Sequence, residues 1–441
     1  MLKLNVDKLL ETIQDSDVFR TVGKVHSADS MVTARMPASI GELCEIKSSG
    51  GKSCLAEVIG FRGGESRIMS FSPLNELRHG DPVKSLGRRA KVPVGPGLLG
   101  RVINCLGEPS DDGPPLQDCR WIEPSTTPPS PLDRMDIDQV LATGQKAIDT
   151  LLTLGQGQRV GLFAGSGVGK STLLGEMARY ADADLNVVAL IGERGREVRP
   201  FLREALGPDG LARSTVVVSL ADETPLSRVR AGETAVTIAE SFRDSGKKVL
   251  LIFDSLTRWC MAQRELGLML GEPPTSRGYT PGVFQKLAVI LERLGNSHVG
   301  SITALLTVLV ESDDMNDPIA DAARGILDGH LILSRELAAA GHFPAIDILA
   351  STSRLFVDIT SAEHQKLARI AKQIISRYRQ TEDLIQVGAY QRGGIPQTDL
   401  AVDLYPALQK FLEQPIRTPS SINDAMLSIK KLLAPWFAAG Y

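Results

Sequence analysis

Arg159-Val-Gly-Leu-Phe-Ala-Gly-Ser-Gly-Val-Gly-Lys-Ser-Thr172 is an apolar run, then a glycine-rich loop, then a Lys-Ser pair opening an apolar-periodic segment. Each part has a chemical reason. Gly165, Gly167 and Gly169 let the backbone wrap closely around phosphate oxygens, so that several N–H groups and a helix N-terminus point at negative charge. Lys170 reaches toward β- and γ-phosphates, and the Ser171 hydroxyl suits Mg²⁺, a cation that takes hard oxygen ligands. The expected nucleotide-binding set is Gly165, Ser166, Gly167, Val168, Gly169, Lys170, Ser171 and Thr172. Six places before the lysine, where the strict pattern has glycine, stands Ala164, a mild departure.

Around this loop the rhythm alternates apolar runs (159–164, 186–191, 215–220, 248–253, 301–310) with helical segments such as 171–181. Short β-rich runs buried on both faces with helices between them predict a parallel α/β sheet. Upstream, over 21–90, short alternating stretches such as Met31–Met36 and Cys54–Ile59, broken by Gly50-Gly51 and Gly63-Gly64, read as a small all-β unit. Between Val92 and Pro131 the chain is dense in Pro and Gly and reads as turns and extended connector, so a boundary is expected there. After Ser361, Leu367, Ile370, Ile374, Ile375 and Tyr378 fall at helical spacing, predicting a small helical domain over 361–441. The first 20 residues read as a tail whose Leu2–Ile13 stretch is weakly amphipathic, either a regulator-binding helix or a frayed one.

Two further acids follow apolar runs. Lys248-Val-Leu-Leu-Ile-Phe-Asp254 delivers a carboxylate to a strand end, where it serves as the metal-side acid; the alternative is a helix cap, since Ser255 and Thr257 follow. Val187-Val-Ala-Leu-Ile-Gly-Glu193 places Glu193 at the same edge, as a candidate for polarising an attacking water. The alternative there is a solvated helix start in which Glu193 and Glu197 pair with Arg194, Arg196 or Arg199.

Composition excludes several other chemistries. The formal charge of −3 argues against bulk electrostatic binding of nucleic acid. No apolar run approaches the roughly 18 residues that span a bilayer, and charges interrupt the opening segment, so a cytoplasmic protein is expected. Five cysteines without a C-x-x-C pair indicate neither a disulfide framework nor a zinc site.

In order and spacing, VPVGPGLLGRVIN, GLFAGSGVGKST, IGERGREV, LLIFDSLTR, GYTP, GSITALLTVL and ASTSR resemble the rotary ATPase superfamily over about Val22 to Leu412. MAQRELGLMLGEPPTSRGYTPGVF and ESDDMNDPIADAARGILDGH are most similar to its flagellar and type III secretion export ATPases. The resemblance implies an N-terminal β-barrel (21–90), a RecA-like P-loop domain (91–360) and a C-terminal helical domain. It further implies a homohexamer with ATP and Mg²⁺ held between subunits. Lys170, Ser171, Glu193 and Asp254 would then face Arg354 of the adjacent subunit, with Arg194 near the γ-phosphate and Phe343 packing on adenine. Implied partners are a central stalk protein, a regulatory protein at the N-terminal region, export substrates with chaperones, and a membrane export gate approached peripherally.

Three rival readings differ in testable ways. A non-hydrolysing ring subunit lacks a glutamate at the place of Glu193. An ATP synthase catalytic subunit has a longer helical end than the roughly 80 residues after Ser361. A ring-shaped RNA translocase carries aromatic and basic surfaces in its N-terminal domain, which this chain lacks. Flagellum and injectisome are not separated by these motifs.

Overall fold

The computed structural model describes residues 21–29, 31–74, 76–310 and 317–440. The amphipathic stretch at Leu2–Ile13 and the ESDDMN segment at 311–316 lie outside them.

Strands Val22–Ala28, Val32–Ala34, Glu42–Lys47, Ser53–Arg62, Glu65–Ser70 and Pro82–Arg89 close into an antiparallel barrel, in the order first, second, fifth, fourth, third, sixth. Alternation explains the closure: Val25, Val32, Cys44, Ile46, Val58, Ile68 and Val83 point inward and fill the barrel. The hairpin between the fourth and fifth strands turns on Gly63 (φ 59°) and Gly64 (φ 80°), a left-handed pair that matches the strand twist and that side chains disfavour. The barrel docks through Leu43, Met69 and Phe71, which join the core of the next domain, and the Phe71 carbonyl accepts from Ser227 Oγ at 2.7 Å.

The Pro- and Gly-rich connector does more than connect. Val92–Val94 pairs with Arg120–Ile122, and Val102–Ile103 adds an edge strand to the large sheet, parallel to Ser214–Leu220. From that edge the sheet runs Val102–Ile103, Ser214–Leu220, Leu185–Glu193, Lys248–Asp254, Ser301–Leu309, Arg159–Ala164, Gly329–Leu333 and Thr352–Ser353. Neighbours are parallel except at the last strand, and Gly295–Asn296 adds a short antiparallel pairing to Ser301–Leu309. All nine residues of Leu185–Glu193 are buried, as expected of a strand covered by helices on both faces. Helix Pro225–Asp244 covers one face and Lys170–Tyr180 lies with the core of the other.

Helices Ala362–Gln386, Pro396–Leu412, Ile422–Leu432 and Ala434–Ala438 close the chain. Leu367, Ile370, Ile374 and Ile375 are buried, each contributing about 1.5–3 kcal/mol relative to an exposed side chain. Tyr378 stacks on Tyr405 with ring centroids 3.6 Å apart. The architecture is the expected one of barrel, parallel-sheet α/β domain and helical end. The five cysteines are free thiols. No helix among the described residues is long and apolar enough to cross a membrane.

Candidate active site

After the buried Arg159–Ala164 strand the chain turns through Gly165–Gly169 and enters helix Lys170–Tyr180. Gly167 (φ 81°) and Gly169 (φ 86°) are left-handed, and a Cβ on Gly165 would stand 2.6 Å from Arg335 Nη2. Ala164 shows why its departure from the strict pattern is harmless: it is still strand, paired with Leu309 and Leu333, where alanine fits as well as glycine. The first amides of the helix have no intrahelical acceptor and carry the positive end of its dipole, which makes the loop an anion cradle.

Three charged groups meet beside this cradle because their strands end at the same sheet edge. Lys170 Nζ lies 2.5 Å from Asp254 Oδ1 and 4.0 Å from Glu193 Oε1. Asp254 and Glu193 are 2% and 7% exposed, so each charge must be matched locally. Thr307, on the strand between the loop and Asp254, donates its hydroxyl to Asp254 Oδ1 at 2.7 Å. Arg258 Nη1 lies 2.6 Å from Glu193 Oε1 and donates to the Gly192 carbonyl at 2.8 Å.

These contacts decide the two local alternatives. The cap of helix Leu256–Leu270 is Ser255, whose Oγ accepts from Arg258 N, and Asp254 is free of that duty. Glu193 pairs with Arg258, whereas Glu197 pairs with the exposed Arg194 at 3.1 Å. Arg354 is exposed and donates to the Arg324 carbonyl at 2.9 Å; among the described residues it makes no bond to Lys170, Glu193 or Asp254.

On the other side of the loop is a cavity of about 390 Å³, a size that accommodates a small ligand. Its walls include Val168, Thr172, Glu176, Phe343, Gln414 and Ile416. The Phe343 ring packs on the loop, 3.3 Å from where a Gly169 Cβ would sit, and is 43% exposed. Gln414 comes from the connection between two C-terminal helices. Its side chain accepts from Lys146 N at 2.8 Å and donates to the Gly144 and Thr418 carbonyls.

Mg²⁺ fits the donors present. Asp254 Oδ2 has no hydrogen bond among the described residues, and the exposed Ser171 opens the helix beside the cradle. One hydroxyl and one carboxylate suit an ion that completes its shell with water and phosphate oxygens.

Arg258 and Thr307 bond to the charged cluster and Gln414 and Gln145 line the cavity, and no pattern in the sequence singles out the last three. Only Arg258 had a signal, its place in the first turn of the helix that follows Asp254.

Loop, charged cluster and base-sized cavity together define a P-loop nucleoside-triphosphate enzyme. Residues 144–353 match the ATP synthase alpha/beta family, nucleotide-binding domain; residues 22–87 match its beta-barrel domain, and 360–431 match the T3SS EscN ATPase C-terminal domain. The chain is 45% identical over 433 residues to the flagellum-specific ATP synthase of Bacillus subtilis (strain 168), covering 97% of this chain and 99% of that one. It is 46% identical over 429 residues to the type 3 secretion system ATPase of Xanthomonas euvesicatoria, covering 97% and 96%. The structure of the assembled ATPase EscN from enteropathogenic E. coli superposes with a TM-score of 0.87 at 43% identity, covering 93% of this chain and all of that one. The same ATPase in complex with its central stalk EscO gives 0.85 at 42% identity, with the same coverage. The chain belongs to the ATP synthase alpha/beta family, and within it to the ATPases of flagellar and type III secretion export.

Proposed function

We propose that six copies of this chain form a ring that hydrolyses ATP with Mg²⁺ to drive bacterial protein export. The observation that carries the reading is the convergence of Lys170, Glu193 and Asp254 beneath the Gly165–Gly169 loop. The loop amides and Lys170 bind the phosphates, Lys170 exchanging its Asp254 partner for β- and γ-oxygens. Ser171 and Asp254 hold Mg²⁺, which neutralises phosphate charge. Glu193, oriented by Arg258, accepts a hydrogen bond from water as the water oxygen bonds to the γ-phosphorus and the β–γ bridging bond breaks. ADP departs with the bridging oxygen and the proton passes to phosphate. Arg354 of the neighbouring subunit stabilises the charge shifting among the phosphate oxygens, and Arg194 stands near the γ-phosphate. Phe343 packs on adenine.

The proposal extends to partners around such a ring: a central stalk, of the kind seen with the relative EscN, a regulator at the N-terminal region, and chaperoned export substrates. It works on the cytoplasmic side of the inner membrane, peripherally at an export gate. Relatives named for flagella and for type 3 secretion systems match about equally, so the reading extends to export in general.

The deciding experiment is steady-state Mg-ATP hydrolysis as a function of protein concentration, with light scattering to follow assembly. Specific activity should climb as hexamers appear. Assembled but inactive rings would favour a regulatory subunit, and constant activity in monomers would remove Arg354 from the mechanism.

A further inference from the structure

The cavity beside the phosphate loop has one polar wall that the reading above leaves unused. Gln145 lines it, is 3% exposed, and its Nε2 has no hydrogen-bond partner among the described residues. A buried donor left unmatched costs about 1–3 kcal/mol, so such a group marks a place where a ligand completes the structure. The backbone around it is held firmly. Asp149, itself buried, accepts from Thr143 N at 2.8 Å, from Thr143 Oγ1 at 2.7 Å and from Gly144 N at 3.0 Å, which pins the turn leading into Gln145.

The other amide and carboxylate side chains of the cavity are already committed. Glu176 takes Arg179 on one oxygen and the Arg417 amide, at 2.9 Å, on the other. Both ends of the Gln414 amide are bonded to the protein. Gln145 is therefore the carboxamide still able to pair with a base. A carboxamide presents a donor beside an acceptor, which matches the N6 amine and adjacent ring nitrogen of adenine through two bonds. Guanine also presents an acceptor beside a donor, O6 and N1–H, whereas a purine without a 6-substituent offers only its ring nitrogen and leaves one end of the carboxamide unpaired.

We infer that Gln145 is the residue that hydrogen-bonds the 6-position edge of the purine base in this site. The inference deepens the proposed ATP reading and rests on it. Sites that hydrogen-bond a polar substrate group discriminate strongly against analogues that leave the site's own group unpaired.

The test uses the full chain and equilibrium binding of ribose-labelled fluorescent ATP and GTP, so it does not depend on turnover. Gln145→Met keeps the volume and removes the pairing; ATP affinity should fall about tenfold, while purine riboside triphosphate, which lacks the 6-amino group, should change less than about threefold. Gln145→Glu, which presents acceptors only, should shift the preference toward GTP. A parallel loss of ATP and purine riboside triphosphate in Gln145→Met, or an unchanged ATP-to-GTP ratio in Gln145→Glu, would overturn the inference, since a merely structural role moves the nucleotides together. A measurement on the unaltered protein guards against misfolded variants: purine riboside triphosphate, which lacks the 6-amino group, should bind several-fold more weakly than ATP, and equal binding sinks the pairing. Failure of Lys170→Ala to weaken either nucleotide would instead count against the phosphate site itself.

Discussion

Glu193 Oε1 and Arg258 Nη1 stand 2.6 Å apart, and the same nitrogen donates to the carbonyl of Gly192, the residue before Glu193. One guanidinium thereby holds both the backbone and the carboxylate of the proposed water-polarising residue. Arg258 is a positioning group, and Arg258→Gln should lower kcat about 100-fold, the scale at which small misplacements in an active site cost rate. ATP affinity should stay within a few-fold. Parallel steady-state and fluorescent-nucleotide measurements separate the two effects; a loss confined to affinity would contradict the positioning role.

Lys170 and Glu193 are 4.0 Å apart yet should fail differently. Lys170→Ala removes charged hydrogen bonds to phosphate, about 3 kcal/mol or roughly 100-fold in nucleotide affinity. Glu193→Gln spares the cradle, so ATP binds normally while kcat drops by roughly 100-fold or more. Tight ATP binding by the lysine variant sinks the first expectation.

The Arg354 guanidinium donates to the Arg324 carbonyl of its own subunit and, among the described residues, makes no bond to the charged cluster. If it acts across a subunit boundary, Arg354→Ala alone should reduce kcat by about 1000-fold, the range for a charge-stabilising arginine in phosphoryl transfer. Mixing it with Glu193→Gln protein should recover some turnover from the intact composite sites. No recovery in verified mixed rings would argue for separate roles.

His364 ties the Ala362–Gln386 helix to the Thr150 carbonyl at 2.8 Å, and burial holds its imidazole below the ordinary histidine range. Above about pH 6.5 it is neutral folded and unfolded, and its contribution is complete. As pH falls below that value the unfolded chain takes up the proton and the folded chain resists, so stability declines. Burial moves His330 and His342 the same way. Burial pushes Asp149 up to about 6, which acts the other way in the same window, so the readout is a difference: from pH 7.5 to 5.5 the urea midpoint of the unaltered protein should lose ground relative to that of His364→Gln, and identical slopes would remove His364 from the linkage.

The central strands were legible because burial on both faces imposes unbroken apolar runs. The run read at 186–191 is observed as Leu185–Glu193, and that at 248–253 as Lys248–Asp254. The phosphate loop was legible because glycine conformation, amide donors and a lysine at fixed spacing leave a local signature. Gly329–Leu333 escaped because its burial alternates, and Val102–Ile103 because two residues in a Pro- and Gly-rich stretch carry no period. Family motifs, and not local pattern, pointed to Arg354, Arg194 and Phe343.

What the sequence determined by itself was the chemistry on offer: a glycine loop preceding Lys170 and Ser171, and acids at the ends of two apolar runs, all set by local backbone preference and burial period. What only the tertiary structure decided was which groups meet. Strand order carries Lys170 to Asp254 across 84 positions, and helix entry turns Arg258 onto Glu193. A turn pinned by Asp149 sets Gln145 in the same cavity wall as Gln414. Such contacts join residues far apart in the chain, and their geometry follows from how sheet, helices and C-terminal segment pack, which no local run of residues encodes.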